Sequence, residues 1–136
     1  MTNNVHITGN ALLWMLMQIY LDQVNPSIVE GTHPSVSDLD LNCEKVCVDY
    51  TNGDTFEYVV DDKDNSVCVR FVLKQTKTNT RKIIKGKHVY RLPKWPDGFE
   101  SSQLSAYIAK MMYIIKDVYA TYKRLYIRNK VYMVYA

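Results

Sequence analysis

The distribution of apolar residues changes period along the chain, and each change marks an element. From Ala11 to Leu21 only Gln18 is polar. Leu12, Leu13, Trp14, Met15, Leu16, Met17, Ile19, Tyr20 and Leu21 leave almost no polar face, and a helix apolar all round must be enclosed by its own domain or by a second copy. Thr8 or Asn10 supplies an N-cap for a helix running from Ala11 to about Val24. Asn25-Pro26 ends it, because the residue before proline is pushed out of helical geometry. Ser27 to Asp40 holds Gly31, Pro34 and hydroxyl residues between short apolar steps, and reads as a surface loop.

The period then falls to two. Leu41 to Tyr50, Thr55 to Val60 and Val67 to Lys74 are rich in Val, Phe, Tyr and Cys and alternate as half-buried strands do. Val46, Val48 and Tyr50 share one face of the first; Phe56, Tyr58 and Val60 share one face of the second; Val67, Val69, Phe71 and Leu73 share one face of the third. Asn52-Gly53 marks the first hairpin turn. A two-residue loop there would set Val48 opposite Glu57 and mix apolar with charged faces. A three-residue loop, Asn52 to Asp54, sets Val48 opposite Tyr58 and Tyr50 opposite Phe56, and burial selects it. A fourth strand, Arg81 to Leu92, returns after the polar tip Thr76 to Thr80.

Pro93 and Pro96 break the pattern, and a helical period takes over. Asp97 with Glu100, or Ser101, caps a long helix reaching about Asn129. Leu104, Ile108, Met111, Ile115, Val118, Tyr122 and Leu125 form a regular stripe. Tyr107, Met112, Ile114, Tyr119 and Tyr126 widen it beyond a coiled-coil seam, as suits a core helix lying across a sheet. Val131 to Ala136 reads as a short strand or a docked aromatic tail. The whole predicts one α+β domain over residues 1–136: an N-terminal helix, a mainly antiparallel sheet of three to five strands, and a long C-terminal helix on one sheet face.

Composition narrows the class. With 47% hydrophobic and 23% charged residues the chain is of ordinary globular type, and its 11 tyrosines raise the expectation of a binding surface. The apolar run to Leu21 falls short of the ~20 residues that cross a bilayer, so no membrane insertion is expected. Met1 to Asn10 carries no Lys or Arg, so it lacks the basic start of a secretory signal. Three cysteines, Cys43, Cys47 and Cys68, are an odd number and too few for a disulfide framework. An intracellular location, in cytoplasm or nucleus, follows as the expectation.

Charge is strongly segregated. Asp22 to Asp64 holds 11 acidic and 2 basic residues; Asn65 to Pro96 holds 9 basic residues and no acidic one; yet the chain totals only +3. Lys74, Lys77, Arg81, Lys82, Lys85, Lys87, Arg91 and Lys94 thus form a basic hairpin, 74–94, that could follow a phosphate backbone, with His88, Tyr90 and Trp95 available for stacking. The competing reading pairs acidic strands with basic ones, Glu57 or Asp61 across from Arg70 or Lys74, at roughly 0.2–1 kcal/mol a pair.

Catalytic and metal motifs fare poorly. Cys43, Cys47, Cys68 and His88 are zinc-ligand types, but residues four apart on a strand lie roughly 13 Å apart, against the ~4 Å between two sulfurs on one zinc. Asp62-Lys63-Asp64-Asn65-Ser66 opens like a calcium loop but has Val67 at the sixth position and Leu73 at the twelfth, so a charged turn is expected. His6-Ile7-Thr8 and His33-Pro34-Ser35 match the tripeptides of two-histidine phosphoesterases, though one precedes a helix and the other lies in a loop. The order helix–strands–helix resembles that of double-stranded-RNA-binding domains in order only. Asp97-Gly98-Phe99-Glu100 stands where that family carries lysines.

No enzyme, cofactor or metal is therefore expected. The function expected first is that of a non-enzymatic accessory protein acting through protein–protein interaction, self-associating as a homo-oligomer through Trp14, Met15, Met17, Tyr119 and Tyr126. The alternative is nucleic-acid or other polyanion binding through the basic hairpin. A small, motif-poor chain rich in Tyr, Asn and Lys also fits a virus-encoded protein, by compositional association.

Overall fold

Of the two caps the sequence offers, Thr8 and Asn10, it is Thr8 that starts the first helix: its Oγ1 accepts a hydrogen bond from Ala11 N at 3.1 Å. The computed structural model describes residues 8–24, 34–37, 44–51, 53–74, 83–94 and 101–134, with the backbone alone described at 74, 83, 84, 101 and 125–134. Its elements are α1 (Gly9–Val24), β1 (Pro34–Val36), β2 (Val46–Tyr50), β3 (Thr55–Asp61), β4 (Ser66–Lys74), β5 (Ile83–Arg91) and α2 (Ser101–Val134). The five strands form one antiparallel sheet whose spatial order is their chain order. The expected α+β architecture, two helices packed on an antiparallel sheet, is what the chain adopts.

β2 begins at Val46, with Glu44 and Lys45 outside the strand, where the pattern put its start at Leu41. Four further details differ from the sequence expectation. Pro34–Val36, assigned to a loop, pairs with β2 as a short edge strand, where proline's missing N–H does no harm at the strand's first residue. The last turn of α2 runs on to Val134 in place of a strand or tail. The first helix begins at Gly9, two residues before the expected Ala11.

The fourth difference is the β2–β3 register. Val48 faces Phe56 and Val46 faces Tyr58, so the loop keeps three residues but is centred one residue earlier than expected. Gly53 explains the shift. It takes φ 94°, open to glycine at little cost, and its N–H closes a turn on Tyr50 O at 2.9 Å, while Tyr50 N donates to Asp54 O at 2.8 Å. Sliding the register by two residues leaves every side chain on its expected face, so burial alone could not tell the two registers apart. The β3–β4 turn is the charged one expected. Asp61 Oδ1 accepts from the N–H groups of Lys63 and Asp64, and Asn65 takes φ 49°.

Both helices cover the same sheet face. Leu13, Met17 and Leu21 of α1 and Tyr107, Met111, Ile114, Ile115, Val118 and Tyr122 of α2 bury against Val46, Val48, Tyr50, Phe56, Tyr58, Val60, Val67, Val69 and Leu73. Leu104 and Ile108, at the start of the α2 stripe, are half-buried, and the side chain of Leu125 lies outside the described residues. Aromatic rings join the layers. Tyr122 stacks on Tyr50 at 4.0 Å between centroids and meets Phe56 edge-on at 5.4 Å, while Phe56 stacks on Phe71 at 5.5 Å. The Phe71 ring lies directly over Gly86, where any Cβ would strike it. Buried polar groups are joined too: Tyr122 donates to Asp54 Oδ2 at 2.7 Å. Beyond the end of β2, Asn10 Oδ1 takes the place of a strand partner and accepts from Val60 N at 2.9 Å.

Two outcomes test this core. Tyr122→Phe, which removes the buried hydrogen bond to Asp54, is expected to lower the unfolding free energy by about 1–3 kcal/mol in urea titrations. Tyr113→Phe on the exposed side of α2 should change it by less than about 0.5 kcal/mol. Burial also holds the hydroxyls of Tyr50, Tyr58 and Tyr107 protonated well above their ordinary pKa of 10.0. The unfolded chain releases these protons more readily. Their contribution is therefore complete below pH 10 and is lost as the pH rises further. The share of tyrosinate absorbance that belongs to these three buried rings should accordingly appear only with loss of helical circular dichroism above that pH.

Candidate functional site

Alternation along the strands puts the remaining side chains on the sheet face opposite the helices, and among the described residues no element covers it. The registers arrange these side chains in rows. One row runs Asp49, Thr55, Val72, Lys85; the next Cys47, Glu57, Arg70, Lys87; a third Val59, Cys68, Val89; a fourth Asp61, Ser66, Arg91. Because the meander keeps chain order, the acidic and basic blocks of the sequence become two halves of one surface. Asp49, Glu57 and Asp61 lie on β2 and β3, and Arg70, Lys85, Lys87 and Arg91 lie on β4 and β5. Val59, Cys68 and Val72 are half-buried along the boundary, and Val89 beside them is 50% exposed.

The charges are only partly matched within the chain. Lys45 reaches Glu57 at 3.3 Å, and Arg91 reaches Asp64 at 3.9 Å; both pairs are solvated and worth little. Glu57 does stand opposite Arg70 in register, as the pairing reading expected, yet its carboxylate is held by Lys45. Arg70 and Lys87, directly opposite each other on β4 and β5, have no carboxylate within ion-pair distance among the described residues. Like charges so placed disfavour the strand pair. They also guard β5, a nine-residue edge strand, against pairing with other chains.

The residues singled out from the sequence divide accordingly. Lys85, Lys87 and Arg91 share the uncovered face, and Lys94 is exposed just past β5. Lys74 ends β4 opposite Ile83, its side chain outside the described residues, as are Lys77, Arg81, Lys82 and Trp95 altogether. The expected stacking partners do not join the lysines. His88 and Tyr90 alternate with them and point to the helix side, ring to ring at 4.4 Å. Tyr90 donates to Asp117 Oδ2 at 2.6 Å; burial, then this bond and the Asp117 charge, raise its pKa. Tyr90 thereby braces α2 rather than offering a ring to a base.

On α1, Met17 is turned into the core, and Trp14 is half-buried with its Nε1 donating to Ser37 O at 2.7 Å. Met15 is 38% exposed and Ile19, one turn on, 55% exposed. Tyr119 is half-buried edge-on to Tyr20 at 5.6 Å, and the side chain of Tyr126 lies outside the described residues. Sequence reasoning overlooked Ile19, Asp49, Val59, Val72 and Val89 as surface residues. The alternation and the meander order would have grouped the last four.

Other chemistry gathers little. Cys47 and Cys68 are on the uncovered face in adjacent rows but on β2 and β4, with β3 between them, and His88 is on the other face. No cluster of three metal-ligating side chains occurs among the described residues. Cys43, His6 and His33 lie outside them, as does Asp97 with its cap. A depression of about 180 Å³ between α1 and β1, lined by Gln18, Leu21, Asp22 and Pro34 to Val36, is smaller than a usual ligand pocket of ~300 Å³ or more. Among the described residues no helix is long and apolar enough to cross a membrane.

Comparison with protein-family models, with curated proteins and with solved structures finds no match.

One expectation follows from the strand pairing alone. Lys87→Glu converts the Arg70–Lys87 repulsion into attraction and should stabilise the dilute protein by roughly 0.2–1 kcal/mol at low salt. The gain should shrink as ionic strength rises. Urea midpoints at two salt concentrations check it.

Proposed function

We propose that this is a non-enzymatic binding protein that works through protein–protein contact and associates with itself. The observation that supports this most is the uncovered sheet face, acidic in one half, basic in the other and apolar along the boundary. A surface carrying both signs complements another copy of itself, whereas a surface for a polyanion gains nothing from Asp49, Glu57 and Asp61 beside its cations. Exposed Met15 and Ile19 on α1 add apolar area to the same reading. The accessory character, a viral source and an intracellular setting rest on composition alone.

Polyanion binding is the second reading, favoured by one observation: Arg70 faces Lys87 without a carboxylate between them. With His88 and Tyr90 turned away, such binding would follow a phosphate backbone without reading bases through these rings.

Light scattering across a concentration series, at low and moderate salt, with and without a mixed-sequence oligonucleotide, separates the two. The expected result is a mass climbing from 15.8 kDa towards twice that value, indifferent to the oligonucleotide. A mass of 15.8 kDa at every concentration overturns self-association. An oligonucleotide complex that dissolves with salt promotes the second reading.

A further inference from the structure

We infer that the uncovered sheet face docks on the same face of a second copy, the two sheets stacked with a two-fold axis running along the strands between β3 and β4. The inference rests on the self-association proposed above and names its geometry. A two-fold along the strands exchanges the left and right halves of the face but keeps each residue's position along the strand. Each row therefore meets its own mirror order. Glu57 of one copy lies over the partner's Arg70, and Asp49 lies over the partner's Lys85, each pair occurring twice. In the third row Val59 lies over the partner's Cys68, apolar on apolar. A two-fold laid across the strands would instead set basic over basic. Charge thus selects one of the two ways in which sheets can stack in an aligned, isologous pair.

The size of the contact sets its strength. Four strands about 4.8 Å apart and seven residues of about 3.3 Å make a footprint of roughly 450 Å² a side. The total, about 900 Å², falls just short of the ~1,000 Å² expected of specific pairs, so the dimer should be weak and dissociate on dilution. The pairs at Glu57 and Asp49 are solvated, so added salt should weaken it.

Two charge-reversed chains make the test. The first carries Asp49→Lys and Glu57→Lys, the second Arg70→Glu and Lys85→Glu. Each alone sets like charge over like, and its dimer dissociation constant should rise on the order of 100-fold. Mixed in equal amounts, the two become complementary at all four pairs and should form a mixed dimer of near wild-type affinity. Native mass spectrometry distinguishes this dimer from either parent. Circular dichroism on each variant establishes that it is folded, and the mixture reports on the interface independently of any loss in stability.

Other outcomes overturn the inference. Should wild type dimerise and both reversed chains dimerise equally well, while Met15→Glu with Ile19→Glu abolishes pairing, α1 holds the interface. Self-association then stands without this geometry. If wild type stays monomeric throughout, both fall. If the monomer binds an oligonucleotide and Arg70→Glu with Lys85→Glu abolishes that binding, the face belongs to a polyanion.

Discussion

Tyr122 of α2 enters the sheet between Tyr50 and Phe56 and donates its hydroxyl to Asp54 in the turn beside them. Three elements meet at that ring. The stacked and edge-on contacts fix the distance and azimuth of a long helix over the sheet, and the hydrogen bond fixes its position along the strands. Phe56 passes the contact to Phe71, which spreads over Gly86 on β5. The column therefore reaches from β2 to the far edge strand. Tyr90, bonded to Asp117, makes a second brace from that edge back to α2.

Placing both helices on one side has a consequence for the other. The helix-covered face holds the Val, Tyr and Phe residues of the alternation, so charged side chains are left to the opposite face. A meander then lays successive strands side by side, which turns order in sequence into order in space. An acidic stretch followed by a basic stretch becomes a sheet with an acidic flank and a basic flank. The boundary falls between β3 and β4, close to the midline of the four longer strands. A boundary there is what would let the proposed second copy, turned about an axis along the strands, find opposite charge on both flanks.

The same alternation separates the two kinds of side chain on the basic hairpin. Lysines at 85 and 87 and rings at 88 and 90 are near neighbours in sequence, and so suggest a phosphate-following arm with stacking groups. On a strand, odd and even positions part company. The rings belong to the helix-facing layer, and the cations stand beside Glu57 and Asp49 on the outer layer. Met17 and Trp14 show the helical counterpart. A helix apolar all round does not reveal which of its sides meets solvent, and tertiary packing exposes Ile19 and Met15 while sealing Met17.

Local pattern alone determined the two helices, the four longer strands, their order, the faces of β2, β3 and β4 and the stripe of α2, and narrowed the α1 cap to Thr8 or Asn10, because each depends on residues within a few positions of one another. Charge blocks, too, were legible as blocks. What the tertiary structure decided was everything that requires a distant partner. Pro34–Val36 becomes a strand only because β2 offers it an edge. The β2–β3 hairpin takes its register from the geometry of Gly53 rather than from burial, which is blind to a slide of two residues. Asp54 turns inward because Tyr122, far along the chain, comes to meet it. And the two charge blocks make a single divided surface only once a meander sets them edge to edge, since proximity between residues remote in sequence is a property of the fold and not of the pattern.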